Sequence, residues 1–546
     1  MATKLDPELK ELAYRYTHLK DHLVSFKRIT GKYPDYKEEP SIEDKTARPN
    51  LIYPIGELLF AHIWGGMAQE TKYYGLEPTL NEEEYVKYRT VREIVLERSI
   101  EEESPQSEEG FTDIIEEILS KVVAVRKNPD EERKGLFRSF SGKKIEVTED
   151  TYNKLRYRLN RDIVGLGPLE PMIRDKYFED IHVINRDITY GTHKIFDMVR
   201  TNVKWENEQE YERYLKALGE RIGKPVTDAH PIVDAKLPDG SRLNLVYSDD
   251  VSNRGASLTI RKFKEVPISF TQLVKFGTMS PTLAAYLWLC LENDVSFIVS
   301  GETASGKTTT LNAALSFIHH DSKIYTVEDT PEVLPPHNAW QQMCTREGEG
   351  GRGGVDMFGL LKAALRSRPN YIIVGEVRGE EGRIAFQAMQ TGHPVIFTFH
   401  AGTMEALVQR ITSDPINVPT PFVGNLDIAL FQNFIKGKGY RRVTSVQEVE
   451  GYSKQYDGII TRETFEYDFA SDEIIFRGFA NSYILEDKIA TKLGYADRKQ
   501  IYNDLEMRSK IIERMVQEKI FDYHEVNELL KAYRLNGIDA LPFSVY

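Results

Sequence analysis

The chain has 546 residues, of which 41% are hydrophobic and 28% charged, and its formal net charge is −13. The length predicts about three to four domains, and the acidic balance argues against a duplex-DNA-binding protein, which usually carries a basic field. With only two cysteines, Cys290 and Cys344, the chain excludes a disulfide framework and a four-cysteine zinc module, so we expect a reducing compartment.

The N-terminal segment begins with an amphipathic pattern. Apolar residues at positions 9, 12, 16, 19, 23 and 26 predict a helix with one apolar face, and Lys10, Arg15, Lys20 and Lys27 lie on its other face. The apolar face either packs within a helical bundle or docks on a membrane protein or lipid surface. The acidic stretch EEESPQSEEG predicts an exposed loop, and FTDIIEEILSKVVAVRK predicts a further helix. We expect residues 1–148 to form a mostly helical N-terminal docking domain.

Strand and helix patterns alternate irregularly in the next region, residues 149–265. EDIHVI, DITYGTHKIFDMV and SRLNLVY predict strands, and EQEYERYLKALGERIG predicts a helix that ends at Gly223. These elements predict a small α+β domain. The following stretch, FKEVPISFTQLVKFGTMSP, is interpreted as a linker covering residues 266–280.

From residue 281 the pattern becomes a regular alternation of strand, loop and helix. Apolar runs at 295–300, 323–328, 371–375 and 394–399 predict buried strands of an α/β sheet, whose carboxyl edge carries the ligand site. We expect this core to span 281–450 and a β/helical extension to span 451–546. The apolar run LAAYLWLCL at 283–291 is far shorter than the roughly 20 residues that a membrane-spanning helix needs, and the N-terminus lacks the apolar core of a signal peptide.

The sequence VSFIVSGETASGKTTTLNAAL contains a phosphate-binding loop. Gly301, four residues, then Gly306-Lys307-Thr308 match the P-loop spacing, with a strand before the loop and a helix after it. Glycines let backbone N–H groups turn towards phosphate oxygens, Lys307 reaches the β and γ phosphates, and the Thr308 hydroxyl ligates Mg²⁺. ATP and Mg²⁺ are the predicted ligands, and the predicted nucleotide-binding residues are Gly301, Thr303, Ala304, Ser305, Gly306, Lys307, Thr308 and Thr309.

Two later strands end in acids. SKIYTVEDTPEV places Glu328 and Asp329 at a strand end, and PNYIIVGEVRG places Glu376 at another, in the pattern called Walker B. One acid would hold Mg²⁺, directly or through water, and the other would polarise the attacking water.

These blocks resemble the secretion ATPases of type II secretion and type IV pilus systems. Four blocks match the family in the same order along the chain: GETASGKTTT, TVEDTPE, YIIVGEVRG and the histidine box TGHPVIFTFHAGT. The resemblance is strong over about residues 255–430. ALRSRPNYIIVGEVRGEEGRIAFQAMQTGH, IYPIGELLFAHI and AAYLWLCLEN are most similar to the archaellum motor ATPase, while archaeal pilus-assembly ATPases are closely similar too.

The resemblance implies a RecA-like P-loop ATPase core in a cytoplasmic homohexamer. The ring would dock on a polytopic membrane platform protein, with other archaellum or pilus motor components, at the inner face of the cell membrane. It implies peripheral membrane contact, while the acidic charge balance predicts no nucleic-acid partner. A conjugation-type traffic ATPase and a nucleotide-dependent switch without turnover remain open as alternatives.

The resemblance also implies residue roles. Glu328 would activate water, Glu376 would belong to the Mg²⁺ site, and an arginine from the preceding domain would reach the phosphates. Arg242 and Arg261 are the candidates, with Arg254 as a third.

The two histidines of TGHPVIFTFHAGT are separated by a predicted strand. Seven extended residues span roughly 23 Å, so His393 and His400 cannot share one metal ion or phosphate. His400 follows the carboxyl end of the strand, where we expect it to sense the γ-phosphate. His393 lies at the far end, where packing, helix capping or a contact with a neighbouring subunit is expected.

Overall fold

The computed structural model describes residues 5–65, 70–99, 108–126, 144–248, 250–263, 266–346, 353–435 and 439–545. The chain forms two compact units, Met1–Phe263 and Lys264–Tyr546. Most of the acidic stretch EEESPQSEEG and of the glycine-rich segment 347–354 lies outside the described residues.

The N-terminal unit is built on a ten-stranded sheet with the order β1-β2-β3-β4-β9-β8-β7-β12-β11-β10. Its strands are β1 (Asp35–Tyr36), β2 (Asn50–Pro54), β3 (Phe60–Gly65), β4 (Thr71–Leu76), β7 (Phe178–Asn185), β8 (Ile188–His193), β9 (Asp197–Thr201), β10 (Ile232–Lys236), β11 (Arg242–Val246) and β12 (Ser257–Arg261), and a separate parallel pair is β5 (Val123–Val125) with β6 (Ile145–Val147). Its helices are α1 (Pro7–Arg15), α2 (Thr17–Thr30), α3 (Glu82–Ser99), α4 (Glu108–Val122), α5 (Glu149–Leu159), α6 (Glu170–Arg174) and α7 (Glu208–Arg221).

The predicted N-terminal amphipathic helix is interrupted. Tyr16 is extended (φ −119°, ψ 108°) and separates α1 from α2, although no proline or glycine marks the break. The apolar face packs inward, with Leu9, Leu19 and Leu23 buried beside β2 and β3 residues. The described structure therefore uses this face for packing.

One sheet crosses the expected boundary at residue 148. Strand β4 pairs in parallel with β9, so residues expected in a helical domain and in an α+β domain lie in the same unit. The N-terminal strands escaped prediction because they lack alternation. In β3, for example, nearly every side chain is buried, as in strands covered on both faces.

The C-terminal unit contains a nine-stranded sheet with the order β15-β14-β16-β17-β13-β18-β19-β20-β21. Neighbouring strands are parallel from β15 to β18 and antiparallel from β18 to β21. The strands are β13 (Phe297–Ser300), β14 (Ile324–Glu328), β15 (Trp340–Cys344), β16 (Tyr371–Glu376), β17 (Val395–Phe399), β18 (Ile428–Ile435), β19 (Tyr440–Ser453), β20 (Gly458–Asp468) and β21 (Glu473–Phe476). The four predicted buried strands are confirmed as β13, β14, β16 and β17, and the α/β fold class with them.

Helices cover this sheet. They are α8 (Phe270–Lys275), α9 (Pro281–Glu292), α10 (Lys307–Ala314), α11 (Met357–Arg366), α12 (Glu381–Gln390), α13 (Met404–Thr412), α14 (Thr420–Val423), α15 (Ile501–Gln517) and α16 (Tyr523–Asn536). The apolar run 283–291 is buried throughout within α9. None of the helices in the described part of the chain combines the length and the apolar character that a membrane span requires.

The predicted linker and the predicted extension both belong to this unit. Within residues 266–280, α8 starts with a capping box on Ser269 and buries Phe270 in the same core as α9. Strand β19 runs through the expected boundary at 450, and α15 packs on α9. Packing against a shared core thus joins segments that composition separates.

Candidate active site

Four neighbouring parallel strands bring the predicted site residues to one edge of the C-terminal sheet. The strand order is β14-β16-β17-β13. Across these strands Val327 pairs with Val374, Glu376 pairs with Thr398, and Phe399 pairs with Ser300. Because these strands are parallel, the residues that follow them emerge at the same edge. The register therefore sets Glu328, Glu376, His400 and the loop after Ser300 side by side.

The phosphate loop, residues 301–306, links β13 to α10. Its backbone includes two left-handed residues, Ala304 (φ +62°) and Gly306 (φ +92°), and Gly306 is the N-cap of α10. A Cβ atom at Gly301 would lie 2.0 Å from the backbone oxygen of Gln432, so only glycine fits there. This is the turn that aims loop N–H groups and a helix N-terminus at an anion.

The remaining predicted nucleotide-binding side chains surround this turn. Ser305 is buried and its Oγ has no hydrogen-bond partner, whereas Thr303 is exposed. Thr308 and Thr309 are half-buried in the first turn of α10. Thr308 thus remains accessible beside the loop, as the predicted metal-ligand role requires.

Lys307 lies at the centre of the site. Its Nζ donates a hydrogen bond to the Glu302 carbonyl oxygen (3.0 Å) and lies 3.4 Å from Nδ1 of His400. Burial lowers the pKa of the Lys307 ammonium, while the nearby Glu376 carboxylate acts in the opposite direction. The ammonium is therefore partly desolvated, which strengthens its attraction to an anion.

Glu376 ends β16 and faces this lysine. Its Oε1 lies 2.8 Å from Nε2 of His400, in ion-pair range but without hydrogen-bond alignment, and its Oε2 accepts a hydrogen bond from Arg378. That hydrogen bond is the main reason that the pKa of Arg378 is raised. A buried carboxylate oxygen lacking a hydrogen bond suits a cation, so the donor set fits Mg²⁺.

His400 stands between Lys307 and Glu376. Burial and then the Lys307 charge lower the pKa of its imidazole, and Glu376 opposes them. Its backbone oxygen accepts a hydrogen bond from Arg410. The two ring nitrogens of His400 thus contact Lys307 and Glu376. His393 lies at the other end of β17, where its Nδ1 is 3.2 Å from Thr391 Oγ1.

Glu328 lies deeper than expected. Its side chain is 1% exposed, and Oε1 accepts hydrogen bonds from the backbone N–H groups of Glu332 (2.7 Å) and Val333 (2.8 Å). Burial raises the pKa of this carboxyl to about 7. A Cβ atom at Gly375 would lie 3.3 Å from its Oε1, so the glycine before Glu376 leaves room for it. The neighbouring Asp329 is exposed and accepts a hydrogen bond from Thr345 Oγ1 (3.1 Å).

The predicted arginines belong to the N-terminal unit. Arg242 begins β11 and Arg261 ends β12, and the two are directly opposite across the antiparallel pair. Arg261 is 64% exposed, with its Nε 4.0 Å from Asp180, and Arg254 is exposed. Like charges directly opposite on a sheet repel each other, so an anion near this pair would be favourable.

Besides Arg410, three residues that the sequence did not predict contact the site, namely Arg378, Gln432 and Arg441. Arg378 lies inside the YIIVGEVRG block, so its position was an available signal. Gln432 and Arg441, on β18 and β19, donate hydrogen bonds to Ser305 O (2.8 Å) and Ala304 O (3.0 Å). No local pattern marks these two residues, because only the packing of distant strands brings them to the phosphate loop.

Comparisons with known proteins show which family the chain resembles. A family model described as type II/IV secretion system protein matches residues 170–416. An uncharacterized protein of Methanocaldococcus jannaschii is 50% identical over 547 residues, which cover 99% of each chain. The type IV secretion system protein VirB11 of Bartonella quintana is 26% identical over 299 residues, covering 48% of this chain and 84% of its own. Among solved structures, the Legionella pneumophila ATPase DotB is 14% identical and covers 67% of this chain and 94% of its own, with a TM-score of 0.37.

Proposed function

This chain belongs to the type II/IV secretion system protein family, and we propose that it is an ATP-hydrolysing motor of that family. The observation that carries the proposal is the contact series beside the phosphate loop. Lys307 Nζ lies 3.4 Å from His400 Nδ1, and His400 Nε2 lies 2.8 Å from Glu376 Oε1. A phosphate-binding lysine, a histidine and a carboxylate in contact supply the groups that phosphoryl transfer to water needs.

Each residue has a distinct role in this proposal. The loop N–H groups and Lys307 bind the phosphates of ATP, and the Thr308 hydroxyl and Glu376 carboxylate hold Mg²⁺, which neutralises phosphate charge when bound. Glu328 accepts the proton of the attacking water. At the same time the water oxygen forms a bond to the γ-phosphorus, and the bond between the γ-phosphorus and the leaving oxygen of ADP breaks. His400 donates a hydrogen bond to the γ-phosphate. Arg242 and Arg261 would neutralise phosphate charge in a neighbouring subunit.

The buried position of Glu328 adds a condition to this chemistry. At 1% exposure its carboxylate has no access to bulk water. The hydrogen bonds from Glu332 and Val333 must therefore loosen, or the segment after β14 must move, before Glu328 reaches the attacking water. Such a step would couple hydrolysis to movement of that segment, as a motor requires.

For the machine that it drives, we propose archaellum filament assembly and rotation. The blocks ALRSRPNYIIVGEVRGEEGRIAFQAMQTGH and IYPIGELLFAHI, which resemble the archaellum motor ATPase, support this assignment. The motor would be a homohexamer at the cytoplasmic face of the membrane, docked on a polytopic platform protein with other archaellum components.

A second candidate is an archaeal pilus-assembly or type II secretion ATPase, because the same four motif blocks occur in both groups. A conjugation-type traffic ATPase is the third, favoured by the similarity to VirB11, whose name assigns it to type IV secretion. The net charge of −13 argues against direct handling of DNA in this case.

Two experiments test the proposal at its two levels. Purified protein should hydrolyse ATP in a Mg²⁺-dependent manner, and Lys307→Ala should remove the activity; absence of turnover in the wild-type protein would refute the enzyme. In cells, deletion of the gene should abolish archaella and leave other pili in place. Loss of pili with normal archaella would instead support the second candidate.

A further inference from the structure

We infer that Gln432 and Arg441 are positioning residues that hold the phosphate loop in its phosphate-binding conformation. The inference rests on the proposed ATPase function and assigns a role to the hairpin formed by β18 and β19. Gln432 lies on β18, and Arg441 lies on β19 opposite Phe434. In the sheet order, β18 and β19 lie on one side of β13, the strand that precedes the loop. The strands that carry Glu376 and Glu328, β16 and β14, lie on its other side.

The backbone of the loop explains why such residues are needed. A loop that turns consecutive N–H groups towards phosphate must turn carbonyl groups away from it, and these carbonyls require donors. Three of them have side-chain donors: Lys307 Nζ bonds Glu302 O (3.0 Å), Arg441 Nε bonds Ala304 O (3.0 Å) and Gln432 Nε2 bonds Ser305 O (2.8 Å). Two of the three donors therefore come from the hairpin.

The hairpin also fits the two loop glycines closely. A Cβ atom at Gly301 would lie 2.0 Å from the Gln432 backbone oxygen. A Cβ atom at Gly306 would lie 2.9 Å from Gln432 Nε2 and 3.1 Å from Arg441 Cδ. The absence of a Cβ atom at these two glycines thus lets the hairpin pack closely against the loop. The same glycines let the loop N–H groups turn towards phosphate.

Arg441 acts on the strained residue of the loop. Ala304 has φ +62°, a left-handed conformation that a residue with a Cβ atom adopts only at a cost. The hydrogen bond from Arg441 to the Ala304 carbonyl stabilises that conformation. Without nucleotide, the loop would otherwise relax towards a conformation that no longer presents its N–H groups.

Arg441 is itself held by the next residue along the strand. Arg442 points the other way, is buried, and donates hydrogen bonds to Asp472 Oδ1 (2.9 Å) and Phe276 O (2.9 Å). The hairpin is therefore anchored to the body of the unit on one face and bonded to the phosphate loop on the other. Any displacement of β18 and β19 would therefore move or break the hydrogen bonds that hold the phosphate loop.

The expected effect falls on binding more than on the chemical step. Once ATP is bound, its phosphate oxygens organise the loop N–H groups, so the hairpin contributes mainly to forming the loop beforehand. Loss of one such hydrogen bond should raise KM and Kd for ATP about tenfold in Gln432→Ala and in Arg441→Ala. Turnover at saturating ATP should fall by less than about threefold. Arg441→Lys keeps a charge and a donor and should restore most of the affinity.

The test combines ATP and ADP binding by calorimetry, steady-state kinetics and hydrogen exchange of the loop amides in nucleotide-free protein. Gln432→Ala and Arg441→Ala should raise KM, leave kcat nearly unchanged and speed exchange at residues 302–306. The matched control is Asn433→Ala. Asn433 lies next to Gln432 on the other face of β18, and its side-chain amide donates a hydrogen bond to Thr444 Oγ1 on β19. This variant should behave as wild type.

The outcomes separate this inference from the proposed function. If wild-type protein hydrolyses ATP and Lys307→Ala abolishes it, but both hairpin variants keep wild-type KM and loop exchange, the positioning role is wrong and the ATPase assignment stands. An equal rise in KM for Asn433→Ala would also overturn it, because the effect would then come from general weakening of the hairpin. If the wild-type protein neither binds nor hydrolyses ATP, the proposed function itself fails.

Discussion

His400 and Glu376 meet at the ends of neighbouring strands, with His400 Nε2 2.8 Å from Glu376 Oε1. The other ring nitrogen, Nδ1, lies 3.4 Å from Lys307 Nζ. One imidazole therefore connects the phosphate-binding lysine with the carboxylate proposed for the Mg²⁺ site. Any ligand change at the γ-phosphate would be transmitted through His400 to both partners.

This contact predicts different effects for the two histidines of the histidine box. His400→Ala should lower single-turnover cleavage of ATP about 100-fold, the size expected for loss of a hydrogen-bond donor to the reacting group. His393→Ala should stay within about twofold of wild type, because His393 lies at the far end of β17. Rapid-quench measurement of single turnovers provides the test, with assembly state checked in parallel. Equal losses in both variants with unchanged assembly would contradict the separation of their roles.

Replacing Glu376 by glutamine should separate binding from turnover. The Glu376→Gln variant keeps the side-chain size and loses the charge that would hold Mg²⁺, so ATP should still bind while turnover falls at least about 100-fold. The Mg²⁺ concentration required for residual activity should rise. Glu380→Gln, an exposed acid four residues further along, is the matched control and should be unaffected. Steady-state hydrolysis by Glu376→Gln at the wild-type rate would show that the assignment of this site is wrong.

Glu328 should give ATP hydrolysis by this protein a pH dependence near neutrality. Burial raises the pKa of its carboxyl to about 7, so the carboxylate, the form that accepts a proton, is populated above pH 7 and lost below it. We expect kcat/KM for ATP to fall with decreasing pH below about 7, approaching tenfold per pH unit. Initial rates between pH 5.5 and 8.5 at saturating Mg²⁺ provide the measurement. A flat profile across this range would exclude Glu328 as the base that titrates in the free enzyme.

Much of the site could be predicted from the sequence, because its elements are local or follow a simple rule. The phosphate loop is a contiguous motif, and parallel strands buried on both faces produce the continuous apolar runs that identified β13, β14, β16 and β17. Since parallel strands end at one edge, acids that follow them must come together. The depth of Glu328 did not follow from this rule, because it depends on the turn at Glu332 and Val333 and on the space left at Gly375.

The parts that escaped prediction depend on long-range packing. Gln432 and Arg441 lie more than 120 residues beyond the loop that they contact, with separations of 127 and 137 residues, and nothing in their local sequence distinguishes them. Similarly, the break of the N-terminal helix at Tyr16 has no proline or glycine signal. The pairing of β4 with β9 joins regions that composition assigns to different domains. In each case tertiary contacts override a local pattern that was itself clear.

The C-terminal helices should be essential to the stability of the C-terminal unit through one largely buried carboxylate. Glu292, at the end of α9, accepts hydrogen bonds from Trp288 Nε1 (2.7 Å), Arg534 Nε (2.7 Å) and Arg508 (3.0 Å). Burial opposes ionisation of this carboxyl, but Arg508 and Arg534 hold its pKa below the ordinary value. Arg534 also donates a hydrogen bond to the carbonyl oxygen of Phe317 (2.7 Å), just after the helix of the phosphate loop.

Glu292→Ala would leave the largely buried guanidinium group of Arg534 without its carboxylate partner and Arg508 with only Asp504, 4.0 Å away. The free energy of unfolding should fall by about 3–5 kcal/mol, the usual cost of removing one partner of a buried ion pair. Denaturant unfolding monitored by tryptophan fluorescence measures this change, and Trp288 reports on the altered site directly. Glu506→Ala, which breaks the exposed pair with Lys510 on the same helix as Arg508, should cost no more than about 0.5 kcal/mol. If the two variants were equally stable, α15 and α16 would be held to the core by apolar packing alone, and the Glu292 network would be dispensable.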